Sequence, residues 1–551
     1  LLTVTLLFGA VGYCHAQSAS KPWIAVSFAG YDKLVADVAM IGQLGGNANL
    51  GKQLEMMALM LPQGEGSKGP LALDTKQPWG AVLVGDVNSP TYYAFIPVSD
   101  MKPIVELAKA QLGKEVKSEN GVYQFPANGK TVYAVQKGKW AFLADSSDHL
   151  NNVVTDPAPL LGDLPTRYDL AIRTSIKSLP AEFRNQLLAQ LRAGAEVGMN
   201  NLSSAGDEDA AIRTNVAKQS VEQLTTLVND MDEVLIGWNI DAKSKTTYLD
   251  VELTAQTGTK LASQFAEIKP GKTNFAGMLL PNAAVTASSI GATSDAQLAQ
   301  AKSNLAGLRK TAIKGLESQG LSEEEVKLAT TLLADVMDVL EKTLEMKKTD
   351  MAMSVVLQPD ALTVVGGATI AEGAKLDKTL QQLVAEVKKN EEAANLVKIS
   401  DETVDGIHLQ KVSMPTPDQQ LAPLVGDTLE MVVGVADDKV LVAVGRDAAK
   451  TLKKTIGQLK TTAGKEVPPL RISVAATSVA KFISEIDGDA QVKATASMVA
   501  GMLAKAGQQD HVTVTAQPIA QGVRVRLELE EGLLKAIGSL TQMMGGMAPG
   551  Q

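Results

Sequence analysis

Cysteine is nearly missing from the chain: Cys14 is the only one in 551 residues. That excludes a disulfide framework and a thiolate zinc site, and leaves the fold to stand on its hydrophobic core. Histidine is almost as scarce, at four residues. His149, His408 and His511 each stand alone, without a second histidine at metal spacing, so a histidine-built metal site or triad has little to draw on. No cofactor, metal or catalytic residue is therefore expected. Positive charge is never concentrated: Lys347-Lys348 and Lys453-Lys454 are too short to make a basic face, and the formal net charge is -9. Nucleic acid is not an expected partner, because phosphate recognition needs clustered Lys and Arg. After residue 16 no apolar run is long enough for a transmembrane helix.

What is present reads as globular, with 45% hydrophobic and 21% charged residues, and the length exceeds what one core usually serves. Residues 1–11 form an apolar run of signal-peptide length, and Cys14-His15-Ala16 ends in a small residue before Gln17. Export to the periplasm or cell exterior is expected, with 1–16 as the signal peptide. Leu1 is neither Met nor preceded by a basic segment, so the start is expected to lie upstream. Tyr13 stands where a lipobox wants Gly, Ala or Ser, which favours cleavage over a lipid anchor.

The chain is organised around residues 80–154, read as two strands, a helix capped by Asp100 and ended by Gly113, a hairpin, and a second helix. A similar order returns over 350–459, where Leu429, Met431, Val433 and Val435 alternate into a turn at Asp437-Asp438-Lys439 and Val440, Val442 and Val444 return. Lys269-Pro270-Gly271-Lys272 is the best boundary. The expectation is an α+β fold: two tandem, internally repeated domains of antiparallel sheet with helices packed on one face, at 17–268 and 269–540, followed by a flexible tail at 541–551. Ser322 with Glu325 spells a capping box for the longest helix, which either packs on a sheet or pairs with 295–316. In the last hairpin Val523, Val525, Leu527 and Leu529 are expected to face in, and Arg524, Arg526, Glu528 and Glu530 out.

Chemistry-bearing motifs are weak. The G-x-G-x-x-G of Gly64 to Gly69 follows a Met-rich helix and precedes Pro70, the wrong context for a dinucleotide turn. Gly271-Lys272-Thr273 has Ala266 where a phosphate loop needs its first glycine. Asp207-Glu208-Asp209 and Asp487-Gly488-Asp489 lack EF-hand spacing. Ser478 and Lys481 share a helix face, as in penicillin-recognising enzymes, but the S-D-N and K-T-G elements are missing; a capping serine beside a solvated lysine is the simpler reading. Met56, Met57 and Met60, with Met498, Met502, Met543 and Met544, either fill cores or line a plastic apolar groove. All four tryptophans precede residue 269, so a recognition surface with aromatic anchors such as Trp79 and Trp140 would sit in the first half. Met56, Met57, Met60, Trp79 and Trp140 are the candidate ligand-binding residues.

The segment Ala94-Phe95-Ile96-Pro97-Val98-Ser99-Asp100, Gly121-Val122-Tyr123 and Trp140-Ala141-Phe142-Leu143-Ala144 resemble an uncharacterised family of large exported proteins of planctomycete-type bacteria, over residues 23–268. The resemblance implies export and an α+β repeat, and it carries no site residues. The expected function is an exported, non-catalytic cell-envelope protein that binds a partner protein or an apolar ligand between sheet and helices. A secreted serine- or carboxylate-type hydrolase and a structural matrix component are the alternatives.

Overall fold

The computed structural model describes residues 21–545 apart from 48, 61–70, 87–88, 114, 128–129, 202–224, 319–321, 359–360, 390, 417–421, 487–488 and 507–508. Expectations for the signal peptide, Gly64 to Gly69, Asp207 to Asp209 and residues 546–551 lie outside them. The fold is α+β, and every named strand pairing is antiparallel. Two compact units divide the chain: one holds residues up to Ala262 together with Ala520–Gln551, the other Ser263–Ile519. Sequence places the division near 269 and ends the second domain at 540. In the structure the C-terminal strand and helix belong instead to the first unit.

In the first unit the strands are β1 (Ile24–Phe28), β2 (Trp79–Asp86), β3 (Ser89–Pro97), β4 (Lys117–Glu119), β5 (Val122–Ala127), β6 (Lys130–Lys137), β7 (Trp140–Ala144), β8 (Leu170–Ser175), β9 (Met231–Asp241) and β10 (Thr246–Ala255). The second unit has β11 (Gly271–Thr273), β12 (Val285–Ala292), β13 (Lys348–Gln358), β14 (Ala361–Thr369), β15 (Lys398–Val404), β16 (Ile407–Pro415), β17 (Thr428–Ala436), β18 (Lys439–Gly445), β19 (Lys465–Val467), β20 (Leu470–Ala475) and β21 (His511–Ile519). The chain then returns to the first unit as β22 (Gly522–Leu529). The first sheet runs β4-β5-β6-β7-β3-β2-β1-β8-β9-β10-β22. The second runs β15-β16-β17-β18-β14-β13-β12-β20-β21. From β4 and from β15 inward the two orders of connection correspond strand for strand.

Local signals place the helices α1 (Tyr31–Leu44), α2 (Leu50–Leu59), α3 (Lys102–Leu112), α4 (Ala181–Asn201), α5 (Lys260–Ala266), α6 (Asp295–Glu317), α7 (Glu323–Glu345), α8 (Gly373–Lys389), α9 (Glu391–Leu396), α10 (Ala448–Thr462), α11 (Ala476–Glu485), α12 (Ala490–Ala506) and α13 (Glu531–Gly545). Asp100 Oδ1 accepts from the Lys102 amide at 2.9 Å to start α3, and Gly113 stops it at φ 60°, where a side chain would be strained. α7 opens on the capping box of Ser322 and Glu325, and of its two alternatives it pairs with α6, through Lys302 to Glu341 and Glu345 and Arg309 to Asp338. In the second unit α10 buries Leu452 and Ile456 against Leu409 and Leu441 on one face of the sheet. α8 stands over His408 and Gln410 on the other. Helices therefore cover both faces, where the sequence predicts one.

The two cores use different materials. Phe95 meets Trp140, and Tyr93 meets Phe142, each edge-on at 5.6 Å, a geometry that suits ring quadrupoles. The second core is built from Leu441, Leu452, Ile456 and Val365 around Phe275 and Met278. Gly367 carries no side chain there because a Cβ would lie 2.7 Å from both Leu441 and Phe275.

Candidate functional site

Strand alternation gives the first sheet two chemically opposite faces. On one, register aligns Val26, Ile172, Ile236, Val251 and Val525 across β1, β8, β9, β10 and β22, beside a second row of Phe28, Leu170, Trp238, Leu249 and Leu527. Five of these ten, Ile172, Ile236, Leu249, Val525 and Leu527, are exposed, Ile236 to 44%. The second sheet repeats the pattern with Met351, Val442 and Ile472, Met351 being 43% exposed. A half-solvated antiparallel sheet ordinarily turns polar residues to water. Here it turns branched aliphatics to it.

The opposite face of the first sheet is where the charge goes. Asp250, 1% exposed, receives Arg526 bidentately at 2.7 and 2.8 Å and the Tyr168 hydroxyl at 3.0 Å. Glu252 accepts from Arg524 at 2.6 Å, from Tyr168 at 3.2 Å and from Arg167. The Arg526 guanidinium also lies 3.7 Å from the Tyr248 ring centre, a cation–π contact. Burial, then the charges of Asp250 and Glu252, push the Tyr168 hydroxyl pKa well up, so it stays a hydrogen-bond donor. Gly237 makes room, since a Cβ there would lie 2.6 Å from the Tyr168 ring. The expectation that Arg524 and Arg526 face water is thus corrected: they face buried carboxylates, and Val525 and Leu527 are the exposed set. Every partner is satisfied, and the network is structural.

A further polar group lies in the first unit. Lys33 reaches Asp37 at 3.0 Å, Asp169 and Asn239, and Asp169 also accepts from the Ile240 amide at 2.6 Å. Burial raises the Asp37 carboxyl pKa, with Lys33 opposing it.

Each solitary histidine has an aspartate neighbour. His149 lies 3.5 Å from Asp145, which also accepts from Tyr92. His511 lies 3.6 Å from Asp510. His408 Nδ1 meets Asp377 Oδ1 at 2.5 Å, and Gln381 donates to the other Asp377 oxygen at 2.8 Å. The His408 pair borders a groove of about 330 Å3 between α8 and the β15–β16 hairpin. Sequence reasoning missed these pairs where the partners stand far apart; only the Asp145/His149 and Asp510/His511 spacings were locally visible.

The candidate ligand-binding residues do not converge. Met56 and Met60 are 54% and 86% exposed on and just after α2, and the Met57 side chain lies outside the described residues. Trp140 is buried in the aromatic core on the charged-network face. Trp79 packs on the core under α3, on the opposite face, and against Phe28 at 5.5 Å. Ser478 does not cap α11: Asp510 Oδ2 accepts from the Thr477 amide at 2.7 Å, and Lys481 is exposed. Asp489 caps α12 through the Gln491 and Val492 amides. Gly271-Lys272-Thr273 is β11, paired with β19. Among the described residues no group of three His, Cys, Asp or Glu is arranged for a metal ion, and no helix is long and apolar enough to cross a membrane. No family model matches the sequence, and no curated protein and no solved structure matches it.

Proposed function

We propose that this protein is an exported, non-catalytic cell-envelope component that binds the alkyl chain of a lipid along the aliphatic sheet face of its first unit. The single observation behind the reading is the inverted sheet: charges are buried and paired on one face while Ile172, Ile236, Leu249, Val525 and Leu527 stand exposed on the other. Leaving apolar area in water forgoes about 25 cal/mol per Å2, so a face this continuous is best accounted for by an occupant. The row from Val26 to Val525 crosses five strands, about 19 Å at ~4.8 Å per strand. One leaflet's acyl chain extends about 15 Å, half the ~30 Å hydrocarbon core, and so fits the row. Neither row contains a charged side chain, which favours an alkyl chain over the polar rim of a protein partner. The shared order of strands suits two diverged copies of one binding unit, and the first-half resemblance to exported proteins agrees with it.

The test is native mass spectrometry of the chain from Gln17 onward, purified without detergent and then mixed with phosphatidylglycerol vesicles. An adduct of lipid mass, removed by organic extraction and lost in Ile236→Glu/Leu249→Lys, is the expected result. A bare monomer after mixing refutes lipid binding, and a defined oligomer that the same double variant dissolves makes the face a protein interface instead.

A further inference from the structure

We infer that the groove between α8 and the β15–β16 hairpin is a site for a small zwitterion with an aliphatic body, an amino acid or short peptide. Its walls follow from two periodicities. On α8, Gln381, Val384, Ala385 and Lys388 recur at the three- and four-residue steps of one helix face. On the hairpin, register sets Asp401 opposite Gln410 and Thr403 opposite His408, and Ile399, Asp401, His408 and Gln410 line the groove.

Three features make this more than a crevice. The corresponding slot of the first unit, between α3 and β4–β5, is filled: Phe125 and Tyr123 of β5 pack there with Ile104 and Ala108. In the second unit that slot is open over about 330 Å3, with a neighbouring hollow of about 320 Å3 that shares Lys388 and Ile399. The imidazole is also held in place. Gln381 fixes Asp377, and Asp377 fixes the His408 Nδ1 edge, which leaves Nε2 as the ring edge available to a ligand. Finally, Lys388 and Asp401 bring opposite charges to the two walls, and neither takes part in an ion pair among the described residues, whereas the nearby Lys375, Lys389 and Lys411 all do. A ligand carboxylate at Lys388 and an ammonium at Asp401 satisfy both, and its side chain lies on Val384, Ala385 and Ile399.

Calorimetry on the full chain from Gln17 with L-leucyl-L-leucine tests this, using L-leucinamide and N-acetyl-L-leucine as probes that each lack one charge. Lys388→Gln and Asp401→Asn sit at solvated positions and leave the melting temperature unchanged. The expected result is saturable binding of the dipeptide, weakened about tenfold by either variant, the size of one charge-assisted hydrogen bond. L-leucinamide should be insensitive to Lys388→Gln, and N-acetyl-L-leucine to Asp401→Asn. No heat at millimolar dipeptide, or equal binding by wild type and both variants, overturns the assignment.

Discussion

Replacing Arg526 by methionine should loosen the C-terminal strand and β10 together. Methionine keeps much of the aliphatic stem that packs beside Tyr248, so the change chiefly removes charge. It leaves Asp250, 1% exposed, without its bidentate partner, holding only the Tyr168 hydroxyl at 3.0 Å and Arg524 at 3.6 Å. Removing one member of a buried pair costs about 3–5 kcal/mol. Because Arg524 and Tyr168 stay near and Arg526 is itself a quarter exposed, about 3 kcal/mol is expected. At about 2–4 °C per kcal/mol for a unit of this size, the melting temperature falls by about 6–12 °C. Hydrogen exchange read by mass spectrometry localises the effect: peptides from β9, β10 and β22 lose protection, and those from β14, β17 and β18 keep it. The double variant Asp250→Leu/Arg526→Met should recover most of the loss, since no unpaired charge remains. Arg526→Met with wild-type melting and unchanged β10 protection would refute the claim that this network holds the strand.

Three other outcomes follow from the structure. Burial raises the Tyr93 hydroxyl to about 12, so its contribution is intact below about pH 10 and lost as pH rises toward 12; Tyr93→Phe should move the alkaline unfolding midpoint, followed by circular dichroism, upward. Burial pushes the Glu430 carboxyl up, but the Ala449 amide at 2.9 Å, Lys411 and Lys453 outweigh it and set its pKa below the ordinary value. Its contribution is therefore present above about pH 4.5 and lost as pH falls through the lowered pKa: Glu430→Gln should reduce the urea midpoint at pH 7 and match wild type in strong acid. Gly367→Ala forces a Cβ to within 2.7 Å of Leu441 and Phe275 and should cost about 1–3 kcal/mol in urea unfolding, whereas Gly291→Ala, with nothing within 4 Å, should cost far less.

Features encoded within a few residues were legible in the sequence. The turn at Asp437 to Lys439, the Ser322–Glu325 capping box and the αL stop at Gly113 all stand as read, because each is fixed by local backbone chemistry. What sequence could not supply was partnership at long range. Alternation correctly separated Val525 from Arg526, but which face is wet depends on Asp250, 276 residues away. His408 reads as an isolated residue because Asp377 comes from a helix that only the sheet topology brings over it. Trp140 reads equally well as an anchor or as core, and its contact with Phe95 places it in the core. The groove by α8 has no motif at all: its four helix positions are ordinary periodicity until the hairpin supplies the opposite wall.

Connectivity ties the buried network to the aliphatic face. β9 and β10 form a local hairpin, yet Asp250 and Glu252 meet Arg526 and Arg524 only when the end of the chain returns as β22. Tyr168 and Arg167 reach the carboxylates from within the first stretch of chain, but the two arginine partners come only with the docking step of β22. That step also selects register. A slip of one residue turns Val525 or Leu527 toward the carboxylates and the arginines toward water. A slip of two sets Arg524 against Asp250 and leaves Glu252 facing Gly522. Only the observed register pairs both charges, and the same register brings Val525 beside Val251 and Leu527 beside Leu249. The charge pairs on one face therefore place the last strand of the apolar rows on the other, and any change that weakens the network should weaken the proposed lipid binding without touching a side chain of the apolar rows.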